Sequence, residues 1–244
     1  MADITNLLKG DCLELMKKIP DESIDLILCD LPYGTTYAKF DKIIPFEPLW
    51  EEYRRISKDG TPIVLTANQP FSSALVMSNP NEFRCEWIWN KTNASNFANA
   101  KKQPLKQHET ILVFSKKASR YYPQMVEGKS NHGQGKSTSG FRETMLITKR
   151  GADDFSGMKY PKTILDFPKH SSQSKLHPTQ KPVELMEYLI KSYSMENDIV
   201  LDNCIGSGTT AIASINTNRQ WIGMEQDQKY YDIASRRIQD HQCS

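Results

Sequence analysis

No stretch of this chain approaches the roughly eighteen consecutive apolar residues of a membrane-spanning helix, and no secretion-signal pattern opens it. Its five cysteines, Cys12, Cys29, Cys85, Cys204 and Cys243, are an odd number without paired metal spacing. That pattern excludes a disulfide framework and a zinc ribbon, and reduced thiols in a cytoplasmic protein are expected. The five histidines have no ligand partner at helical spacing, so no metal site is expected. Internal repeats are absent. Net charge is also nearly absent, at +2, but it is unevenly placed. Between Lys116 and Lys181 stand thirteen Lys or Arg against five Asp or Glu, a net of +8, which leaves −6 for the rest. A basic middle in an acidic frame fits a polyanion partner for that middle, or a solvated lysine-rich surface.

What is present is a core and an alternation. Hydrophobic residues make up 38% of 244, enough for one domain with a large insertion. Strand patterns at Ile24–Leu28, Pro62–Thr66, Cys85–Trp89, Thr110–Phe114, Ile199–Leu201 and Trp221–Met224 are interleaved with helical patterns. The helices are expected at Pro48–Ile56, Phe71–Met77, Pro182–Ser192, Gly208–Asn216 and Asp227–Ile238. This order predicts an α/β fold, a Rossmann-like and mainly parallel sheet with helices on both faces. Residues 93–107 have weak periodicity and are expected to form a mobile loop. Residues 128–140 hold no core-forming side chain and read as a flexible segment. The expected division is 1–118, an insertion at 119–175, and 176–244.

Two strand-to-loop junctions carry the chemistry. After Ile24–Leu28 comes Cys29-Asp30-Leu31-Pro32-Tyr33-Gly34, and after Asp198–Val200 comes Leu201-Asp202-Asn203-Cys204-Ile205-Gly206-Ser207-Gly208-Thr209-Thr210. Open α/β sheets place ligands at such junctions. Taken alone, Asp-Leu-Pro-Tyr is a surface turn and the glycines an ordinary strand–helix turn. The two glycines also remove Cβ atoms where a ligand could approach the backbone and its free amides. Glu225 ends the next strand, where an acid can accept from ribose hydroxyls; Asp227 competes for that part but suits a helix N-cap better.

Together, and in this order, the two junctions resemble the DNA amino-methyltransferases that use S-adenosyl-L-methionine, in the permuted branch often called the β class. The resemblance implies a class I methyltransferase fold with an inserted target-recognition region. It also rests on Gly10-Asp11-Cys12, on Glu225, and on His177-Pro178-Thr179-Gln180-Lys181-Pro182. The segments Trp87–Lys91 and Lys106–Phe114 match as well.

By resemblance, Asp30 and the main-chain carbonyl of Leu31 accept hydrogen bonds from both hydrogens of a base amine, which concentrates electron density on its nitrogen. Pro32 keeps Leu31 extended. Tyr33 stacks on the target base with its ring, so its hydroxyl is expected to be dispensable. The cofactor would be held by Asp11, Asp30, His177, Gln180, Lys181, Asp202, Gly206, Ser207, Gly208, Thr209, Thr210 and Glu225. Asp11 is equally well read as a helix cap, and Asp202 as ordering the glycine loop. Asn203 stands where the family has proline, which is expected to soften that loop. Cys29 is read as a buried strand residue; no Pro-Cys pair exists for attack on a cytosine carbon.

Double-stranded DNA is the implied partner. Lys91, Lys101, Lys102 and Lys106 are candidate phosphate contacts, and Arg120, Arg142, Arg150, Asn131 and Gln134 of the insertion could read base edges. The expected product is methyladenine in duplex DNA, because the motif begins with Asp. The rivals are cytosine-N4, an RNA or protein-glutamine substrate, and an inactive cofactor-binding DNA module. A homodimer, a companion restriction endonuclease and a bacterial or phage origin are left open.

Overall fold

The computed structural model describes residues 6–35, 41–128, 157–169 and 180–243. Asn131, Gln134, Arg142, Arg150, His177 and most of the segment expected to be flexible lie outside the described residues.

The apolar run before Asp30 becomes β2 (Leu26–Cys29), buried at every position. Successive side chains leave on opposite faces. Leu26 and Leu28 enter one apolar cluster and Ile27 and Cys29 the other. A strand covered on both sides needs a continuous apolar run, which is why it does not alternate.

Its sheet contains β1 (Leu7–Lys9), β3 (Ile63–Ala67), β4 (Phe83–Ser95), β5 (Lys106–Phe114), β8 (Ile164–Asp166), β9 (Ile199–Asp202) and β10 (Gln220–Glu225). The order is β1-β10-β9-β2-β3-β5-β4-β8. From β1 to β3 every pairing is parallel, β5 is antiparallel to both neighbours, and β8 is parallel to β4.

One face carries α1 (Cys12–Met16), α2 (Phe46–Ile56) and α3 (Phe71–Ser78). In α2 the buried residues Leu49, Trp50, Tyr53 and Ile56 recur at helical spacing along one stripe. The other face carries α4 (Val183–Tyr193), with Leu185, Met186, Leu189, Ile190 and Tyr193 turned inward. Packed toward the β10 edge are α5 (Thr209–Asn216) and α6 (Gln228–Gln242), the latter through Tyr230, Ala234 and Ile238 as its i, i+4, i+8 pattern predicts. Among the described residues no helix is long and apolar enough to cross a membrane.

The segment expected to be a mobile loop at 93–107 is shorter as a loop. β4 runs on to Ser95, which pairs with Lys106, and only a 3-10 turn at Phe97–Asn99 and its flanks separate the strands. Asn, Ala and Lys are weak strand formers, but pairing with a neighbour outweighs that preference. β4 and β3 point the same way, since each is antiparallel to β5. Ala67 and Ile88 both lie opposite Thr110, so residues 89–106 project beyond the end of β3.

The chain divides into two compact units, Met1–Tyr122 with Thr163–Ser244, and Pro123–Lys162. The second, narrower than 119–175, holds the short antiparallel pair β6 (Val126–Glu127) and β7 (Met158–Lys159).

Candidate active site

β2 is flanked by β3 on one side and β9 on the other, so chain order reverses between β2 and β9. The loops leaving these two strands therefore open side by side at the carboxyl end of the sheet, where such folds form a crevice. One loop starts at Asp30 and the other at Asp202.

The Asp30 carboxylate is held by three side chains. Oδ1 accepts from the Tyr33 hydroxyl at 2.7 Å and from the Thr66 hydroxyl, and Oδ2 accepts from Lys181 Nζ at 2.6 Å. Thr66 is in place because β3 pairs with β2 in register, Cys29 opposite Leu65. Lys181 Nζ also lies over the Tyr33 ring, 5.8 Å from its centroid. Burial and the adjacent Asp30 charge keep the Tyr33 phenol well above its usual range, so it donates.

Lys181, one of the residues expected to hold the cofactor, is paired with Asp30, because an ammonium this buried must sit on a carboxylate. One expectation changes here. The Tyr33 hydroxyl, expected to be dispensable, fixes the orientation of Asp30. Tyr33→Phe is therefore expected to lower turnover about tenfold through the loss of one bond to a charged acceptor. Single-turnover rates of Tyr33→Phe and Tyr33→Ala test this; a wild-type rate in the Phe variant would leave only the ring with a role.

The second loop is built around Asp202, which accepts from Cys204 N at 3.0 Å and the Thr210 hydroxyl at 2.5 Å. Burial raises its carboxyl to about 6. Gly206 and Gly208 adopt φ of 54° and 83°, values that favour glycine, and a Cβ at Gly208 would stand 3.2 Å from Ile238 Cδ1. Asn203 Oδ1 accepts from the Tyr53 hydroxyl at 2.6 Å in the core, which ties this loop to α2.

The side chains of Ser207, Thr209 and Thr210 are buried and serve the loop rather than its surface. Arg237 Nη1 donates to Ser207 O at 3.0 Å and to Thr209 Oγ1 at 3.1 Å, and Thr210 is engaged by Asp202. Only the backbone groups of these three residues are left to face a ligand.

Glu225 closes the loop from the end of β10. Its Oε2 accepts from Gly206 N at 3.0 Å and its Oε1 from Asp227 N at 2.8 Å, while burial raises its carboxyl. Gly10 N donates to Glu225 O, which brings Asp11 alongside. Asp11 caps α1 through Leu13 N at 2.9 Å, and Asp227 caps α6, as expected of it. A turn whose two left-handed glycines carry no Cβ, beside two acids, Asp11 and Glu225, fits a ligand with hydroxyl, amine and carboxylate groups.

The family model for DNA methylases, covering N6 and N4 methyltransferases, matches residues 24–236. The chain belongs to this family. The type II methyltransferase M.HinfI of Haemophilus influenzae is 31% identical to it over 97% of this chain and 69% of that protein. The DNA adenine methyltransferase YhdJ of Escherichia coli K12 is 30% identical over 95% of this chain and 82% of that protein. The crystal structure of the M1.HpyAVI–SAM complex aligns with a TM-score of 0.64 at 23% identity, over 95% of this chain and 98% of that one, a likeness of fold.

In this DNA methylase two of the expected DNA contacts are placed elsewhere. Lys91 is buried and ion-paired with Glu109, so its charge is not presented to a phosphate. Arg120 donates to Asp25 O at 2.9 Å and faces Asp25 and Asp198, which precede β2 and β9. It is therefore at the amino end of these strands, opposite the Asp30 loop, where it ties two acids together. Lys101 and Lys102 are exposed on the β4–β5 projection, and Lys106 is partly buried, with burial and Lys91 lowering its pKa.

Thr66, Glu109, Arg237 and Tyr53, which hold Asp30, Lys181 or the second loop in place, are not singled out by the sequence. Only Glu109 carries a local signal, a carboxylate leading directly into the apolar run Thr110–Phe114. Gln180 is buried.

Proposed function

We propose that the protein transfers a methyl group from S-adenosylmethionine to the exocyclic amine of adenine in duplex DNA, after the base is swung out of the helix. The observation that carries this reading is the pairing of β2 with β9, which sets the Asp30 loop beside the glycine loop in a chain of the DNA methylase family.

S-adenosylmethionine supplies an electrophilic methyl on a sulfonium. The residues supply the rest. Glu225 would receive the ribose hydroxyls, Asp11 the adenine amine of the cofactor, and the Ser207 and Thr209 backbone amides its carboxylate. Asp30 and the Leu31 carbonyl would accept hydrogen bonds from the two hydrogens of the target amine, which localises the lone pair on nitrogen; one proton leaves the nitrogen once it carries the methyl group. Tyr33 lies under the base. Extrusion costs a few kcal/mol, offset by contacts in the pocket. Action in the cytoplasm, on bacterial or phage DNA, goes with this substrate.

Adenine is favoured by the leading Asp30 and by the likeness to an adenine methyltransferase of Escherichia coli. Modified DNA digested to nucleosides should yield methyladenine by mass spectrometry. Methylcytosine alone would change the base and keep the class, whereas methyl on a ring carbon would reject the role of Asp30.

Lys101 and Lys102 project from the sheet end that carries Asp30, in reach of phosphates. Replacing both by alanine should lower the slope of log affinity against log salt by about two, roughly one per phosphate contact. An unchanged slope would place the DNA backbone elsewhere.

A further inference from the structure

Lys181 Nζ stands between two carboxylates. Asp30 Oδ2 is 2.6 Å away and Glu109 Oε2 3.3 Å away. Glu109 Oε1 is ion-paired in turn with Lys91. All of Lys181, Glu109 and Lys91 are buried. Glu109 lies opposite Trp89, and Lys91 is two residues further along β4 on the same face, a diagonal neighbour. The row Asp30–Lys181–Glu109–Lys91 is neutral overall and links the Asp30 loop to the β4–β5 hairpin.

We propose that Glu109, backed by Lys91, is a positioning residue for methyl transfer: it shares the Lys181 ammonium with Asp30, so that Asp30 Oδ2 can still accept a hydrogen from the arriving base amine. The kinetic half of this proposal rests on the methyltransferase reading; the electrostatic half does not.

A carboxylate offers about four acceptor positions. Tyr33 and Thr66 take those of Oδ1, and Lys181 takes one on Oδ2. The last position is the one open to the amine. An ammonium with no other counter-ion would draw Oδ2 wholly onto itself and make it a poor acceptor. With Glu109 on its far side, Lys181 has a second carboxylate to lean on as the amine arrives. Oε2 of Glu109 makes no hydrogen bond of good geometry, so it can take that load.

The charged and titratable groups around Lys181 are Asp30 and Tyr33 from the loop after β2, Glu109 and Lys106 from β5, and Lys91 from β4. Burial opposes charge on Lys181, but Asp30 and Glu109 outweigh it and raise its pKa. Burial likewise opposes charge on Glu109, which Lys181 and Lys91 hold at about 2. Removing the Glu109 charge must therefore lower the Lys181 pKa.

The test uses E109Q and the charge-balanced pair E109Q/K91M, which leaves Asp30 and Lys181 as a neutral couple should E109Q alone not fold. Lysine labelled at Cε is followed by NMR against pH in the full chain without cofactor or DNA, Lys181 being assigned by its loss in K181M. The Lys181 midpoint is expected to fall in both variants. With DNA, kcat should drop about tenfold or more in both, with S-adenosylmethionine affinity within about threefold. An unmoved Lys181 midpoint overturns the proposal. So does a double variant with wild-type kcat, since Glu109 would then only neutralise Lys91. A wild-type protein that methylates no DNA would reject the function, and the lysine titration would still decide the network.

Discussion

Asp30→Ala is expected to lower methyl transfer by about a hundredfold or more while S-adenosylmethionine binds within about threefold of wild type. The rate effect follows from position: Asp30 directly follows the buried strand β2, and its carboxylate is fixed by Tyr33, Thr66 and Lys181. One oriented group aimed at a reacting centre is worth roughly 2.7–4 kcal/mol. The fold should survive, because the stranded Lys181 keeps Glu109 as a counter-ion at 3.3 Å. Cofactor binding should survive because the Gly206–Gly208 loop is ordered by Asp202, Glu225 and Arg237, a set of bonds separate from those that hold the Asp30 carboxylate. Turnover with labelled cofactor and calorimetry separate the two effects. Activity above about a tenth of wild type would remove Asp30 from the chemistry, since a loss that small is under about 1.4 kcal/mol.

Glu225→Ala should act in the opposite sense, weakening S-adenosylmethionine by about ten- to a hundredfold with little change in kcat at saturation. Hydrogen bonds to a charged acceptor contribute roughly 1.5–3 kcal/mol. Glu225 makes two such bonds already, to Gly206 N and Asp227 N, so its loss also loosens the loop that forms the cradle. Glu225→Gln keeps one acceptor oxygen and should fall between. An unchanged dissociation constant in the alanine variant would move the ribose contact away from β10. A large fall in kcat at saturation would mean that the loop also aligns the methyl group.

Much of this arrangement is legible in the residues themselves. The run Ile24–Leu28 had to be a strand covered on both faces, since no amphipathic surface could hold it. Gly206 and Gly208 had to mark a turn that other residues resist, and their φ values agree. The apolar stripe Tyr230, Ala234 and Ile238 of α6 locates its buried face from spacing alone. Short β1 and β8 leave no such mark, because three residues are too few to show a period. The extension of β4 to Ser95 is masked by poor strand formers that are held only by their partner.

The sequence by itself determined the two loops, their order along the chain and the residue types that each presents, because turns, caps and buried strands are written within a few neighbouring positions. Only the tertiary structure decided which charges meet. Lys181 reaches Asp30 across 151 positions, Glu109 and Lys91 come together by strand register, and Arg120 falls at the far end of the sheet. These pairings follow from strand order, above all from β5 being inserted antiparallel between β3 and β4. A buried charge takes the partner that strand order brings within a few ångströms, and local spacing along the chain carries no record of that choice.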